Sequence, residues 1–421
     1  MANGRIENPM PSSYPDKMPT SVVGLETNFR PRQPSGENVV EIVDCLLAEA
    51  VTRRASDAHF EPTGHGIVVR YRLDGLLCDV DRLPESLADN VIARLKVMAG
   101  LLTYRKDIPQ EGAFRADERW NSAGPLDVRV ATFPTIRGER AAVRFIYNVG
   151  QVSGLEELGF SEAFVTRLRK VADRPQGLIL VTGPAGSGKS TTLCSVARYI
   201  LASHVGRSVV SLEDPVEQRV TGLTQIQVQP HGELSYVCAM RSLLRQDVEV
   251  LLVGEIRDAQ TAHIVIEAAL TGHLILSTLH SGDPSEAIVR LLEMGVAPYQ
   301  LAGALTAVIS QRLVRTLCAD CRGAGRCVHC MDTGYRGRTG CGQIVVLDEP
   351  LRRAVLEQRP AGELRRLVGQ GGADLAADGQ RLVREGRTDR PEVLRVLGHL
   401  AESGGTETGK DGAANARPTR G

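Results

Sequence analysis

The segment GLILVTGPAGSGKSTTLCSVARYIL, residues 177–201, constrains the fold more than any other stretch. An apolar run, a glycine-rich loop and a helical run follow one another without a break. The loop Gly183-Pro184-Ala185-Gly186-Ser187-Gly188-Lys189-Ser190-Thr191 matches the phosphate-binding pattern G-x-x-x-x-G-K-[ST]. Its glycines let backbone amides curl around phosphate oxygens, and the helix N-terminus adds positive potential. Lys189 is placed to reach the β- and γ-phosphates of ATP, and Ser190 to ligate Mg²⁺. A glycine-rich turn without such a role would need neither the strand before it nor the helix after it.

Three more apolar runs, SVVSL, VEVLLVG and HLILST, are continuous rather than alternating. Such strands, separated by helical segments, predict an α/β domain with a parallel sheet covered on both faces. Ligands bind at the carboxyl ends of the strands in an open parallel sheet. Glu255 closes one run; the residue before it is Gly254, where the simple pattern carries a magnesium-holding aspartate. Glu255 is read as orienting the attacking water or holding metal through water. The neighbouring run ends in SLEDPVE, so Glu213, Asp214 and Glu217 are candidates to compensate for the aspartate. His280 follows LILSTL at the same edge and is read as a contact to the γ-phosphate or its water. His273 begins that run at the opposite edge, where it faces a neighbour or caps the preceding helix. In DPSEAIVRLLEMG, Asp283 is the expected N-cap, Pro284 N1 and Glu286 N3, with Gly295 ending the helix.

CADCRGAGRCVHC places Cys318, Cys321, Cys327 and Cys330 in two C-x₂-C knuckles. In a reducing compartment this spacing predicts a closed, structural, tetrahedral Zn²⁺ site. Cys45, Cys78, Cys194 and Cys238 are scattered, and His329 and Cys341 are not expected ligands. The N-terminus lacks a signal-peptide core, and there is no run of eighteen apolar residues, so a cytoplasmic protein is expected.

The expected organisation is a disordered tail at 1–37, an α+β domain at 38–150, a linker at 151–160 and the ATPase core at 161–317. A tetracysteine element follows at 318–342, a helical part at 343–400 and a second disordered tail at 401–421. Within the first domain, LDVRVATFPTIRGERAAVRFI reads as two strands carrying Arg129, Arg137, Arg140 and Arg144. Arg129 and Arg144 fall in adjacent strands and can converge on a pocket completed from outside the core.

These motifs, in this order, resemble the type II secretion and type IV pilus assembly ATPases, the family of general secretory pathway protein E. ASDAHFEP, RLDG, IARLKVMAG, DVRVATFPTIRGER, LEDPVE, LRQDVEVLLVGEIRD, LTGHLILSTLH, SQRLVRTLC and TGYRGRTG look like its signatures, across roughly residues 38–400. The resemblance implies a hexameric ring, each subunit pairing a PAS-like N-domain with a RecA-like ATPase domain. It implies that EDPVE and TGHLILSTLH are the family's Asp and His boxes, and that Arg129 and Arg144 reach the nucleotide on closure. It also implies a motor acting on an inner-membrane platform protein to extrude pilin-like subunits, peripheral to the membrane through its partners. There are three departures. The segment before residue 38 is short for the docking domain of full-length type II secretion ATPases, the cysteine knuckles are only five residues apart, and Ser190 stands for the commoner threonine.

Two rivals share some of these features. A RecA-like nucleic-acid translocase would share the loop and the sheet. However, the chain has 50 basic and 50 acidic residues and only 4% aromatics, without a basic, aromatic-interleaved groove. A non-hydrolysing ATP- and zinc-binding scaffold would fit the missing aspartate, but not the retained Lys189, Glu213, Glu255 and His280.

Overall fold

The computed structural model describes residues 38–116, 120, 126–147, 154–229, 234–325, 327–370 and 374–398. The tails expected at 1–37 and 401–421, and the start of the linker expected at 151–160, lie outside the described residues.

The first half consists of α1 (Val39–Thr52), β1 (Asp57–Thr63), β2 (Gly66–Leu73), β3 (Leu76–Leu83), α2 (Glu85–Met98), β4 (Gln110–Arg115), β5 (Leu126–Thr135) and β6 (Gly138–Tyr147). Its six strands form an antiparallel sheet in the order β3-β2-β1-β6-β5-β4. The strands alternate, so one face is apolar and the other polar. The apolar face packs Phe60, Val69, Tyr71 and Val128 with Leu47 of α1 and Leu95 of α2. Asp74 and Gly75 both take positive φ between β2 and β3, as an Asp-Gly hairpin turn requires. β1, sequence DAHFEPT, was not expected as a strand. It reads as polar because Asp57, His59 and Glu61 point away from the core, while Ala58 and Phe60 point in.

The second half opens with α3 (Glu162–Ala172), β7 (Gly177–Thr182), α4 (Lys189–Ser203), β8 (Val209–Glu213), β9 (Thr224–Gln227), α5 (Tyr236–Leu243) and β10 (Val250–Val253). It continues through α6 (Ala259–Leu270), β11 (Leu274–Leu279), α7 (Pro284–Glu293), α8 (Pro298–Ala304), β12 (Leu305–Leu317) and β13 (Tyr335–Val346). Four helices follow: α9 (Glu349–Leu356), α10 (Ala361–Gln370), α11 (Leu375–Arg384) and α12 (Arg390–Leu397). The seven strands are ordered β13-β12-β7-β11-β10-β8-β9, and all pairs are parallel except β12 with β13. Each central strand is buried on both faces, which explains the unbroken apolar runs. In β7, Leu178 and Leu180 enter the core beneath α6 and α7, while Ile179 and Val181 enter the one beneath α3 and α4.

β13 begins inside the segment expected to be the tetracysteine element and runs past its expected end at 342. That element is therefore the tip of a long antiparallel pair, β12–β13, continuous with the main sheet. The tip touches the first half of the chain. Met331 packs against the N-domain core, the Asp74 carboxylate accepts the Gly337 N–H at 2.7 Å, and Arg338 lies 3.8 Å from Asp74. Among the described residues no helix is long and apolar enough to cross a membrane.

Candidate functional site

The phosphate loop links β7 to α4, and its shape is set by close contact with β12. A side chain at Gly183 would meet the Gln311 carbonyl at 2.5 Å and Ser187 Oγ at 2.6 Å, and φ there is 149°. Gln311 braces the loop from the other side. Its Nε2 donates to the Ser187 carbonyl (2.7 Å), and its Oε1 accepts from Thr192 Oγ1 (2.9 Å). Lys189 is buried and folded onto the loop, donating to the carbonyls of Gly183 and Pro184, both at 3.0 Å. Burial pulls its pKa down, Glu255 opposes this, and Arg312 adds to it. Ser187 Oγ is buried without a hydrogen-bond partner. An orphaned hydroxyl, a folded-back lysine and a helix N-terminus around one loop fit a polyphosphate. Ser190 is exposed in the first turn of α4, free to meet a cation carried by that phosphate.

Glu213 ends β8, almost fully buried, accepting from Ser211 Oγ at 2.6 Å and Gln225 Nε2 at 3.0 Å. Glu255 follows β10. Its Oε2 is 3.4 Å from His280 Nε2, and its Oε1 is contacted by the Arg257 guanidinium. Arg257 also lies 3.6 Å from Asp214, strapping the ends of β8 and β10 together. Position 254, where the simple pattern carries an aspartate, is approached by a tyrosine. A side chain at Gly254 would meet the Tyr236 hydroxyl at 2.8 Å. Burial, with Asp214 and Glu255 nearby, pushes that phenol's pKa up.

Phosphate loop, Glu213, Glu255 and His280 thus share the carboxyl edge of one sheet. His273 lies at the other end of β11, where its Nδ1 is 3.1 Å from the Ala268 carbonyl at the end of α6. The arginines stand elsewhere. Arg129 and Arg144 are opposite one another on β5 and β6, on the exposed face of the N-domain sheet. Arg144 Nε donates to Asp57 at 3.0 Å. Arg129 lines a cavity of about 430 Å³ with Phe114 and Arg115 of its own domain and Val216, Arg219 and Gln227 beside Glu213. Sequence reasoning did not single out Tyr236, Arg257 or Gln311. Arg257 and Gln311 lay in quoted motifs without being singled out, whereas Tyr236 is recruited from a distant segment and carried no local signal.

The four cysteines gather at the tip of the β12–β13 pair, with all sulfurs within 4.8 Å of one another and Cys321 Sγ 3.7 Å from Cys330 Sγ. Tetrahedral Zn–S bonds of ~2.3 Å separate sulfurs by ~3.8 Å, so the group is able to hold zinc. Burial and the adjoining Cys321 and Cys327 push the Cys330 thiol up to about 12. Four cysteines gathered this closely form a closed donor set, which a cation would hold as thiolates.

The family described as Type II/IV secretion system protein matches residues 33–395. The chain belongs to that family. It is 40% identical over 371 residues to the type II secretion system protein HxcR of Pseudomonas aeruginosa, covering 86% of this chain and 78% of the relative. It is 37% identical over 382 residues to the type IV pilus assembly ATPase PilB of Thermus thermophilus, covering 84% of this chain and 42% of that one. In fold it is similar to the ATPase DotB of Legionella pneumophila, with TM-score 0.69, 22% identity and coverage of 89% of this chain and 98% of the other. It is a secretion or pilus-assembly ATPase.

Proposed function

We propose that this ATPase is a cytoplasmic motor, working as a homohexamer on an inner-membrane platform protein to drive protein secretion or pilus assembly. The observation that carries the reading is the gathering of phosphate loop, Glu213, Glu255 and His280 at one sheet edge, with an arginine-bearing sheet beside it. Lys189 would leave the Gly183 and Pro184 carbonyls for the β- and γ-phosphates. Ser190 would hold Mg²⁺, whose charge would offset that building on the phosphates. Glu255, with His280 at its second oxygen, would orient and deprotonate the attacking water. Glu213, fixed by Ser211 and Gln225, would order water around the cation. Arg129 and Arg144 would add positive charge once the N-domain sheet closes on the edge. Zn²⁺ on Cys318, Cys321, Cys327 and Cys330 would keep the β12–β13 tip folded against the N-domain.

The test is ATP hydrolysis measured together with oligomeric state, with and without the platform protein's cytoplasmic domain, and with DNA. Turnover should follow the hexamer, rise with the platform domain and ignore DNA. Glu255→Gln should lower kcat by ~10²–10³ while ATP still binds. Turnover stimulated by DNA alone would make the chain a translocase. ATP binding without turnover in any assembly would make it a scaffold.

A further inference from the structure

Arg312 lies at the mouth of the phosphate loop without an acid to balance it. It follows Gln311 on β12, where Ser310 is in register with Thr182, the last residue of β7, so Arg312 stands beside the start of the loop. The side chain is half-buried. Its Nη1 donates to the Gln311 carbonyl at 2.9 Å, the same carbonyl that Gly183 approaches. Its Nη2 donates to the Gly282 carbonyl at 2.8 Å, two residues after His280. The guanidinium therefore spans from the wall of the phosphate loop to the turn that carries His280.

Among the described residues Arg312 makes no ion pair. Asp283 and Glu286 are within electrostatic range, but they face Arg365 at 3.1 Å and 3.6 Å, and Asp283 also caps α7. Lys189 is close enough for the two cations to repel, while Glu255 acts on Lys189 in the opposite sense. Two partly desolvated cations flanking one loop are unfavourable unless an anion joins them. Carbonyl oxygens accept hydrogen bonds but cannot neutralise a guanidinium, whereas a phosphate matches its fork.

We infer that Arg312 is a further phosphate-contacting residue of the site, reading the terminal phosphate of a nucleoside triphosphate. In the nucleotide-free state it rests on the Gln311 and Gly282 carbonyls. With a triphosphate in the loop it exchanges at least one of them for a γ-phosphate oxygen. Because the other side of its grip is the turn after His280, loss of that phosphate frees the turn that leads into α7. This inference rests on the ATPase reading above.

The experiment uses the full chain carrying Glu255→Gln, so that ATP survives, with Mg²⁺ present throughout. Dissociation constants for ATP and for ADP are measured with Arg312 intact, with Arg312→Gln and with Arg312→Lys. Arg312→Gln should weaken ATP binding about tenfold or more and leave ADP within about twofold. Arg312→Lys should recover part of the ATP preference, because it keeps the charge but not the fork. Equal weakening of ATP and ADP would assign Arg312 a purely structural role and overturn the inference. So would an unchanged ATP-to-ADP ratio. If the Glu255→Gln chain with Arg312 intact binds neither nucleotide, the ATPase reading itself has failed.

Discussion

Two arginine–carboxylate arrangements in this molecule use the same chemistry in opposite surroundings. Near the tip of the β12–β13 pair, Arg315 and Glu392 are sealed from water, with side-chain exposures of 9% and 0%. Glu392 also accepts from Arg395 Nε and Nη2, both at 2.7 Å, and from the Arg315 backbone N–H at 3.0 Å, and the Tyr335 ring stacks on Arg315 at 4.0 Å. On the N-domain sheet, Arg144 meets Asp57 with 71% of its side chain exposed. Neighbouring strands align Arg72, Asp57, Arg144 and Arg129 in one row, three cations to one anion. The buried set is over-determined and cannot exchange partners cheaply. The exposed row is under-neutralised and weakly held, so Arg144 can leave Asp57 for a stronger anion. Burial thus decides which arginines build the scaffold and which are free to act.

The sharpest break of this contrast is Glu392→Gln, which strands the buried Arg315 and removes the partner of the half-exposed Arg395. It should destabilise the chain by about 3 kcal/mol, read as a lowered melting midpoint. The pH dependence follows from the same carboxylate. Burial opposes its ionisation, but hydrogen bonds from Arg395 and Arg315 outweigh that and hold its pKa at about 2, below the ordinary 4.5. Because the folded pKa is depressed, its stabilising effect is complete above pH 4.5 and disappears as pH falls through about 2. Melting curves of wild type and Glu392→Gln should therefore draw together across that window. Parallel curves would show that Glu392 is not the group being protonated.

A smaller effect is expected from the tetracysteine tip, which joins the two regions. Cys330→Ser, or a strong chelator, should remove bound zinc and lower the melting midpoint by ~5 °C. It should also speed proteolysis between the domains, because Met331 and Gly337 lose their hold on the N-domain. Unchanged melting in zinc-free protein would separate the tip from domain docking.

The smallest stability effect, paired with a functional one, belongs to the exposed row. Arg144→Ala should change stability by no more than ~0.5 kcal/mol, yet lower kcat about tenfold in the assembled enzyme. If stability falls and turnover does not, the row is scaffold and the contrast fails.

Much of this sheet edge was legible because its elements are local. The phosphate loop needs a contiguous strand, glycine turn and helix, and Glu213, Glu255 and His280 each close a recognisable apolar run. The α7 N-terminus was equally readable: Asp283 Oδ1 accepts from the Glu286 N–H at 3.0 Å. β1 and β13 were harder, because one alternates with charges on its open face and the other is rich in glycine. The positions of the arginines could be narrowed to adjacent strands, but their distance from the edge that carries Glu213 and Glu255 could not.

The sequence by itself determined the α/β class, the phosphate-binding loop, the order of strand-end acids and the four-cysteine spacing. Each of these depends on neighbours within one or two elements of the chain. Only the tertiary structure decided that the Tyr236 hydroxyl comes against position 254, that Gln311 braces a loop far before it in the chain, and that Arg312 reaches from the loop wall to the Gly282 carbonyl. Those outcomes turn on the sheet order, which sets β12 beside β7 and the end of β8 beside β10. Sheet order is a choice among packings of similar apolar strands, and no local run of residues encodes it.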